Sequence, residues 1–199
     1  MRSARTLLAV SLLGLVAACG GTEAPAQLTG TELDPPFEVS ATPLVDTAGD
    51  PYSLTEDTDK DLTLVFFGYI NCPDICGQVM ATLAGTLSRL DDEQKDRLDV
   101  VFVTTDPARD TEKAVAGYVE RYDPSIIGLT GDLDDIIEVG RSMAIGIEQG
   151  EKLPSGGYDV THGTQVMAVD ADDETPMFWD YDVSQAQLAH DVTVLLDEG

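Results

Sequence analysis

Basic residues are scarce: 11 Lys and Arg stand against 37 Asp and Glu, for a formal net charge of −26 over 199 residues. A surface of that sign repels nucleic-acid phosphates and anionic lipid head groups, which excludes both as electrostatic partners. The charge reads instead as a solvated, soluble face. Long hydrophobic runs are missing too. The apolar stretch near the start, "LLAVSLLGLVAAC", falls short of the roughly 20 residues of a spanning helix. No Gly-rich phosphate loop, Ser-His-Asp order or HExxH segment occurs, so those three chemistries have no candidate. Histidines number two and cysteines three, which narrows any metal or thiol site to a handful of residues. No internal repeat or second domain is visible, and 43% hydrophobic content suffices for one core.

What is present begins with the N-terminus. Arg2 and Arg5 precede the short apolar stretch and small residues follow it, the pattern of a secretory signal. Its end, Val16-Ala17-Ala18-Cys19, resembles the bacterial lipobox. That resemblance implies cleavage before Cys19 and its lipidation, an ordinary signal with a chance cysteine being the alternative. The following "GGTEAPAQLTGTELDPP" is rich in Gly, Pro and small polar residues and reads as a flexible tether. The expected organisation is a signal peptide over 1–18, a lipidated tether over 19–36 and one folded domain over 37–199.

Within that domain, "PFEVSATPLVDTAGDPYSL" alternates around an Ala-Gly-Asp-Pro turn and predicts a hairpin from Phe37 to Leu54. "LTLVFFGYI" and "LDVVFVTTD" read as strands buried on both faces. From Pro73 to about Leu90 the spacing of Val79, Leu83, Leu87 and Leu90 predicts a helix, with Pro73 in its first turn and "DDEQKDR" closing it in solvent. A second helix is expected over Thr111–Tyr122, a short strand at "IIGLTG", and a third helix in "DLDDIIEVGRSMAI". "TQVMAVDAD" and "TPMFWDYD" suit an antiparallel pair, and a last helix follows Ser184 with Leu188, Val192, Leu195 and Leu196 inward. Alternating strands and helices with a closing hairpin predict an α/β fold around a mixed sheet.

Apart from Cys19, the cysteines are Cys72 and Cys76, between a buried strand and a helix. Sites gather at the carboxyl ends of strands in such folds, and a helix N-terminus stabilises a thiolate. A structural disulfide across so short a loop contributes only about 2 kcal/mol, against roughly 4 to 5 for a loop of 100 residues. The spacing of four is expected to place both sulfurs on one side of the first helical turn, which suits a redox-active pair, or two soft ligands for Cu(I) or zinc. His162, after a Gly-rich loop and at the foot of a strand, is the candidate third ligand; His190, off the apolar face of the last helix, is expected in solvent. Asp106, Arg109 and Asp110 in "TDPARDT" invite a catalytic reading. The simpler one makes Pro107 a turn and Asp110 or Thr111 a helix cap.

"FFGYINCPDIC", "FVTTDPARDT", "IIGLTG" and "YDVTHGTQVMAVD", in this order, resemble the Sco/SenC family of copper-binding proteins from Phe37 to about Asp170. The resemblance implies a thioredoxin-like fold and one copper ion per chain on Cys72, Cys76 and His162. It further implies delivery of copper to, or upkeep of the thiols of, the dinuclear copper site of cytochrome c oxidase subunit II. Other periplasmic copper chaperones or thioredoxin-like reductases would be further partners. The expected location is the extracytoplasmic face of the cell membrane, through the lipid anchor. Three positions depart from the commonest family pattern: Ile70-Asn71 before the first cysteine, Gly77 after the second, and Gly163 after His162. The alternative function is an extracytoplasmic thiol–disulfide oxidoreductase. Against it stand the CxxxC rather than CxxC spacing and the lack of a proline beside His162, Pro154 being too far upstream.

Overall fold

The computed structural model describes residues 27–152 and 158–198. The expected signal peptide, Cys19, the start of the tether and Pro154 lie outside the described residues. In chain order the elements are β1 (Thr31–Glu38), β2 (Leu44–Asp46), β3 (Pro51–Tyr52), β4 (Leu62–Gly68), α1 (Cys76–Leu87), α2 (Asp92–Asp96), β5 (Leu98–Thr104), α3 (Glu112–Val119), β6 (Ile127–Thr130), α4 (Leu133–Ser142), β7 (Ile147–Lys152), β8 (Tyr158–His162), β9 (Val166–Asp170), β10 (Glu174–Trp179) and α5 (Gln185–Glu198).

Eight strands make one mixed sheet in the order β1-β10-β9-β4-β5-β6-β2-β3, and β7 pairs with β8 as a separate ribbon. β4, β5 and β6 run parallel, whereas β9 joins β4, and β2 joins β6, antiparallel. Every residue of β4 is buried, because its alternate side chains feed two cores. Leu64 and Phe66 meet Val79, Leu83, Val115, Leu188 and Val192 from α1, α3 and α5. Val65 and Phe67 meet Ile136, Val139 and Met143 from α4 and its end. Each such side chain contributes about 1.5–3 kcal/mol through burial, which makes β4 the spine of the domain. Helix ends follow the sequence: Thr111 Oγ1 accepts from Ala114 N, and Ser184 and Gln187 bond reciprocally at the start of α5.

Four differences from expectation have local causes. The tether was expected to run to Pro36, yet Thr31–Glu38 is an edge strand on β10. Prolines are tolerated there because an edge strand leaves half its N–H positions unpaired, and the register shifts between Glu32 and Phe37, across Asp34-Pro35-Pro36. The predicted Phe37–Leu54 hairpin is confined to Leu44–Asp46 and Pro51–Tyr52, with Phe37 and Glu38 at the opposite sheet edge. Helix α1 begins at Cys76, after Ile75 as N-cap, so Pro73 lies in the preceding turn and not in the helix. The polar "DDEQKD" stretch does not trail off that helix but forms α2, with Asp91 and Gln94 as a capping box.

The N-terminal arm is held by one buried carboxylate. Asp191, 0% exposed, accepts at Oδ2 from Thr29 N (2.8 Å), Thr29 Oγ1 (2.6 Å), Gly30 N (3.1 Å) and Trp179 Nε1 (2.8 Å). A Cβ on Gly30 would lie 2.5 Å from Met177 Sδ, so only glycine permits this approach. Asp191→Ala is expected to cost about 3 kcal/mol, since buried donors lose a charged acceptor. Limited proteolysis should then cut near residues 29–31 in the variant and spare the parent; equal protection would refute the clamp.

Candidate metal and thiol site

Strand β4 ends at Gly68, Cys76 opens α1, and the loop between them carries Cys72. Cys76 is 1% exposed and Cys72 half-buried, and both are free thiols. A Cβ on Gly68 would stand 3.2 Å from Cys76 Sγ, 2.9 Å from Phe66 Cε1 and 3.0 Å from Phe102 Cε2. The missing side chain is therefore the seat of the sulfur. Because Cys72 precedes the helix, the two sulfurs do not share its first turn as the spacing had suggested.

His162 closes β8, whose ribbon pairs it with Ile147, and the chain then turns into β9 beside β4. Its Nε2 lies 3.8 Å from Cys76 Sγ. The ring stands edge-on to Tyr69 at 5.8 Å and to Phe66 at 6.5 Å between centroids. Nδ1 is 2.7 Å from Gly163 O. A carbonyl only accepts, so Nδ1 carries the proton and the neutral ring presents an Nε2 lone pair to the sulfur. Contacts are pairwise, Cys72 with Cys76 and Cys76 with His162. Among the described residues no three such groups stand as a closed metal cage.

The two thiols are unequal. Burial and the hydrogen bond to Cys72 push the Cys76 thiol up to about 12, opposed in part by the Tyr69 N–H. Burial also works against a thiolate at Cys72. There it is outweighed by bonds from the Cys76 thiol and from the backbone of Cys76, Asp74 and Ile75, which pull Cys72 down. Burial lowers His162, opposed by the Gly163 carbonyl. The first negative charge thus forms on Cys72, at the helix N-terminus.

The remaining sequence candidates separate. His190 is exposed on α5. Thr111 caps α3, whereas Asp110 turns inward to accept from Ile70 N and Thr104 Oγ1, and Asp106 pairs with Arg109. Gly77 leaves a Cβ just outside Tyr122 Oη, at 3.4 Å. Gly68 and Tyr69 shape the site yet were not singled out in the sequence. The readable signal was a glycine closing a buried strand, which marks close approach by another group.

With the geometry in view, known proteins offer a comparison. The SCO1/SenC family model matches residues 27–197. The mitochondrial SCO1 homolog of Homo sapiens is 32% identical over 143 residues, 67% of this chain and 46% of the relative. The chain spans about half the length of such curated relatives. The apo Sco1 structure from Thermus thermophilus superposes with a TM-score of 0.74 at 25% identity, covering 85% of this chain and 96% of that one. Arabidopsis thaliana ScoI with copper bound gives 0.71 at 26% identity, over 82% and 98%.

The unequal thiols have a direct readout. A brief pulse of iodoacetamide at pH 7 on the reduced, metal-free protein should label Cys72 at least about 10-fold faster than Cys76. Peptide mapping of the labelled chain measures the ratio, and equal labelling would contradict the assigned asymmetry.

Proposed function

Because the chain belongs to the SCO1/SenC family, we propose that it is a copper metallochaperone taking one ion on Cys72, Cys76 and His162. Its client would be the dinuclear copper site of cytochrome c oxidase subunit II, which it loads or whose thiols it maintains. The observation that carries this reading is the Nε2 of His162 facing Cys76 Sγ at 3.8 Å with Nδ1 already committed to Gly163 O. At the bond lengths of zinc sites, about 2.3 Å to sulfur and 2.0 Å to nitrogen, two donors sharing one ion stand about 3.5–4 Å apart, the separation seen here. Two sulfurs and one imidazole form a soft donor set suited to Cu(I), and copper is bound in the related Arabidopsis thaliana ScoI.

The chain's own groups divide the work. Cys72, half-exposed and first to ionise, meets the incoming ion. Cys76 gives up its proton on binding, as a ligand thiolate must. His162 needs no proton change, because its ring is neutral and already oriented. Release reverses these steps, the proton returning to Cys76. Lipidation of Cys19 would hold the domain on the extracytoplasmic face of the membrane, with other copper chaperones and thioredoxin-like reductases as suppliers of ion and electrons. The same unequal thiols also suit a thiol–disulfide oxidoreductase, an exposed thiolate attacking and a buried thiol resolving.

Metal content and Cu(I) chelator competition test the choice. The reduced domain is expected to bind one copper per chain, and the Cys72–Cys76 disulfide form none. His162→Ala should weaken binding at least about 10-fold, the low end even for a group that only supports a ligand, while His190→Ala should match the parent. Identical behaviour of the two histidine variants would remove His162 from the ligand set. An oxidoreductase predicts no shift of the thiol potential in a copper buffer, whereas a copper site adds about 30 mV per tenfold excess over its dissociation constant. For the anchor, the intact mass of membrane-extracted protein should equal a lipidated chain starting at Cys19; an unmodified chain starting elsewhere excludes it.

A further inference from the structure

Asp110 stands where three parallel strands end. Its side chain is 1% exposed, and a single oxygen, Oδ2, accepts from Ile70 N at 2.9 Å and Thr104 Oγ1 at 2.7 Å. Its backbone carbonyl accepts from Thr130 Oγ1 at 3.0 Å. Ile70 follows β4, Thr104 closes β5 and Thr130 closes β6, so one residue ties the three strand exits together. Thr105 adds to the tie, its N–H reaching Gly68 O at 2.7 Å.

The bond to Ile70 has a longer reach than stability. Ile70 N and Tyr69 C=O belong to one planar, trans peptide unit, so holding the N–H sets the direction of the carbonyl. That carbonyl accepts from Cys72 N at 3.2 Å. The same Tyr69 sends its N–H to the Cys76 sulfur and its ring edge-on to His162 at 5.8 Å. Tyr69 therefore touches all three groups of the site, and Asp110 grips the peptide that follows it. Bonds linked through one peptide also polarise each other.

We propose that Asp110 is a positioning residue for the thiol–imidazole site, acting through the Tyr69–Ile70 peptide to place Cys72 against Cys76. The geometry asks for an acceptor oxygen and not for a charge, because both donors converge on Oδ2. Asp110→Asn keeps such an oxygen, Asp110→Leu keeps the volume without it, and Thr104→Val removes one of the two donors. The metal arm of the test rests on the copper reading; the thiol arm does not.

Each variant is compared with the parent by three measurements: the Cys72:Cys76 alkylation ratio in reduced metal-free protein, Cu(I) affinity by chelator competition, and Tm. Asp110→Leu is expected to lower the ratio about 10-fold and copper affinity about 10- to 100-fold, the range for groups that orient ligands. Asp110→Asn should stay within about 3-fold on both, far from that range. Leu196→Ala, a core truncation in α5, should lower Tm and leave both site readouts unchanged. An Asp110→Leu protein that behaves like Leu196→Ala would overturn the proposal, as would an Asp110→Asn protein as damaged as Asp110→Leu. Should Asp110→Leu fail to fold, Thr104→Val decides: a reduced ratio with Tm near the parent supports the role, and an unchanged ratio refutes it. If the parent bound no copper while the ratio still answered to Asp110, the metallochaperone reading would fall and the positioning role would stand.

Discussion

The site depends on the contact between the Cys76 sulfur and the bare Cα of Gly68. β4 is covered on both faces, so α1 has to pack down onto its flank, and the first residue of α1 arrives over the strand's last one. A Cβ at position 68 would overlap the Phe66 ring at 2.9 Å and crowd the Phe102 ring at 3.0 Å and that sulfur at 3.2 Å. With glycine there, the sulfur joins the core beside Phe66, Val79 and Phe102. Depth then dictates chemistry, because burial raises the cost of charging Cys76. Cys72, one turn earlier and outside the helix, escapes that depth and collects N–H groups from the helix start. The inequality of the thiols is thus a consequence of packing and not of the two residues' identity.

The same packing assigns the imidazole its part. His162 could lean on Cys76 only if its ribbon ended beside the strand that bears Gly68, and the antiparallel pairing of Val166 with Phe66 brings it there. Once Nδ1 is committed to Gly163, the lone pair at Nε2 has one direction left. Soft-metal binding and disulfide exchange draw on the same sulfurs, and a fixed lone pair can serve either, as a metal donor or as a base toward the Cys76 thiol. The hydrogen bond to a neighbouring carbonyl, a weak local contact, is what aims that lone pair at the sulfur.

Legibility in the sequence followed the range of the deciding interaction. β4 and β5 were visible because a strand buried on both faces must be apolar throughout, and α5 because its inward positions repeat at helical spacing. β1 was hidden: Asp34-Pro35-Pro36 looks like a linker, and only its pairing with β10 and the grip of Asp191 reveal a strand. β7, "IEQGEK", gives Ile147 to a core but carries no apolar alternation to read. At the site, Cys72 and Cys76 could be read locally. The approach of His162, 86 residues from Cys76, could not be, and it was expected mainly from family resemblance. Thr111 was readable as a cap since capping is a matter of three residues; the inward turn of neighbouring Asp110 answers to Ile70, 40 residues away.

Sheet register also decides which way the site faces. Thr31 pairs with Phe178, Trp179 with Val166, and Val166 with Phe66, so the first residues of β1 lie toward the same end of the sheet as Gly68. β1 is three strands from β4, about 14 Å across the sheet at the usual spacing. Asp191 fastens Thr29 and Gly30 at this end, the end at which the site lies. Thr29 lies ten positions after Cys19, and a chain of that length reaches at most about 35 Å when fully extended. With the proposed anchor at Cys19, that reach would bound how far the thiols stand from the bilayer. The net charge of −26 would then resist collapse onto anionic lipid, so such an anchor would set an upper limit to the site's distance from the surface and the charge would oppose the lower one.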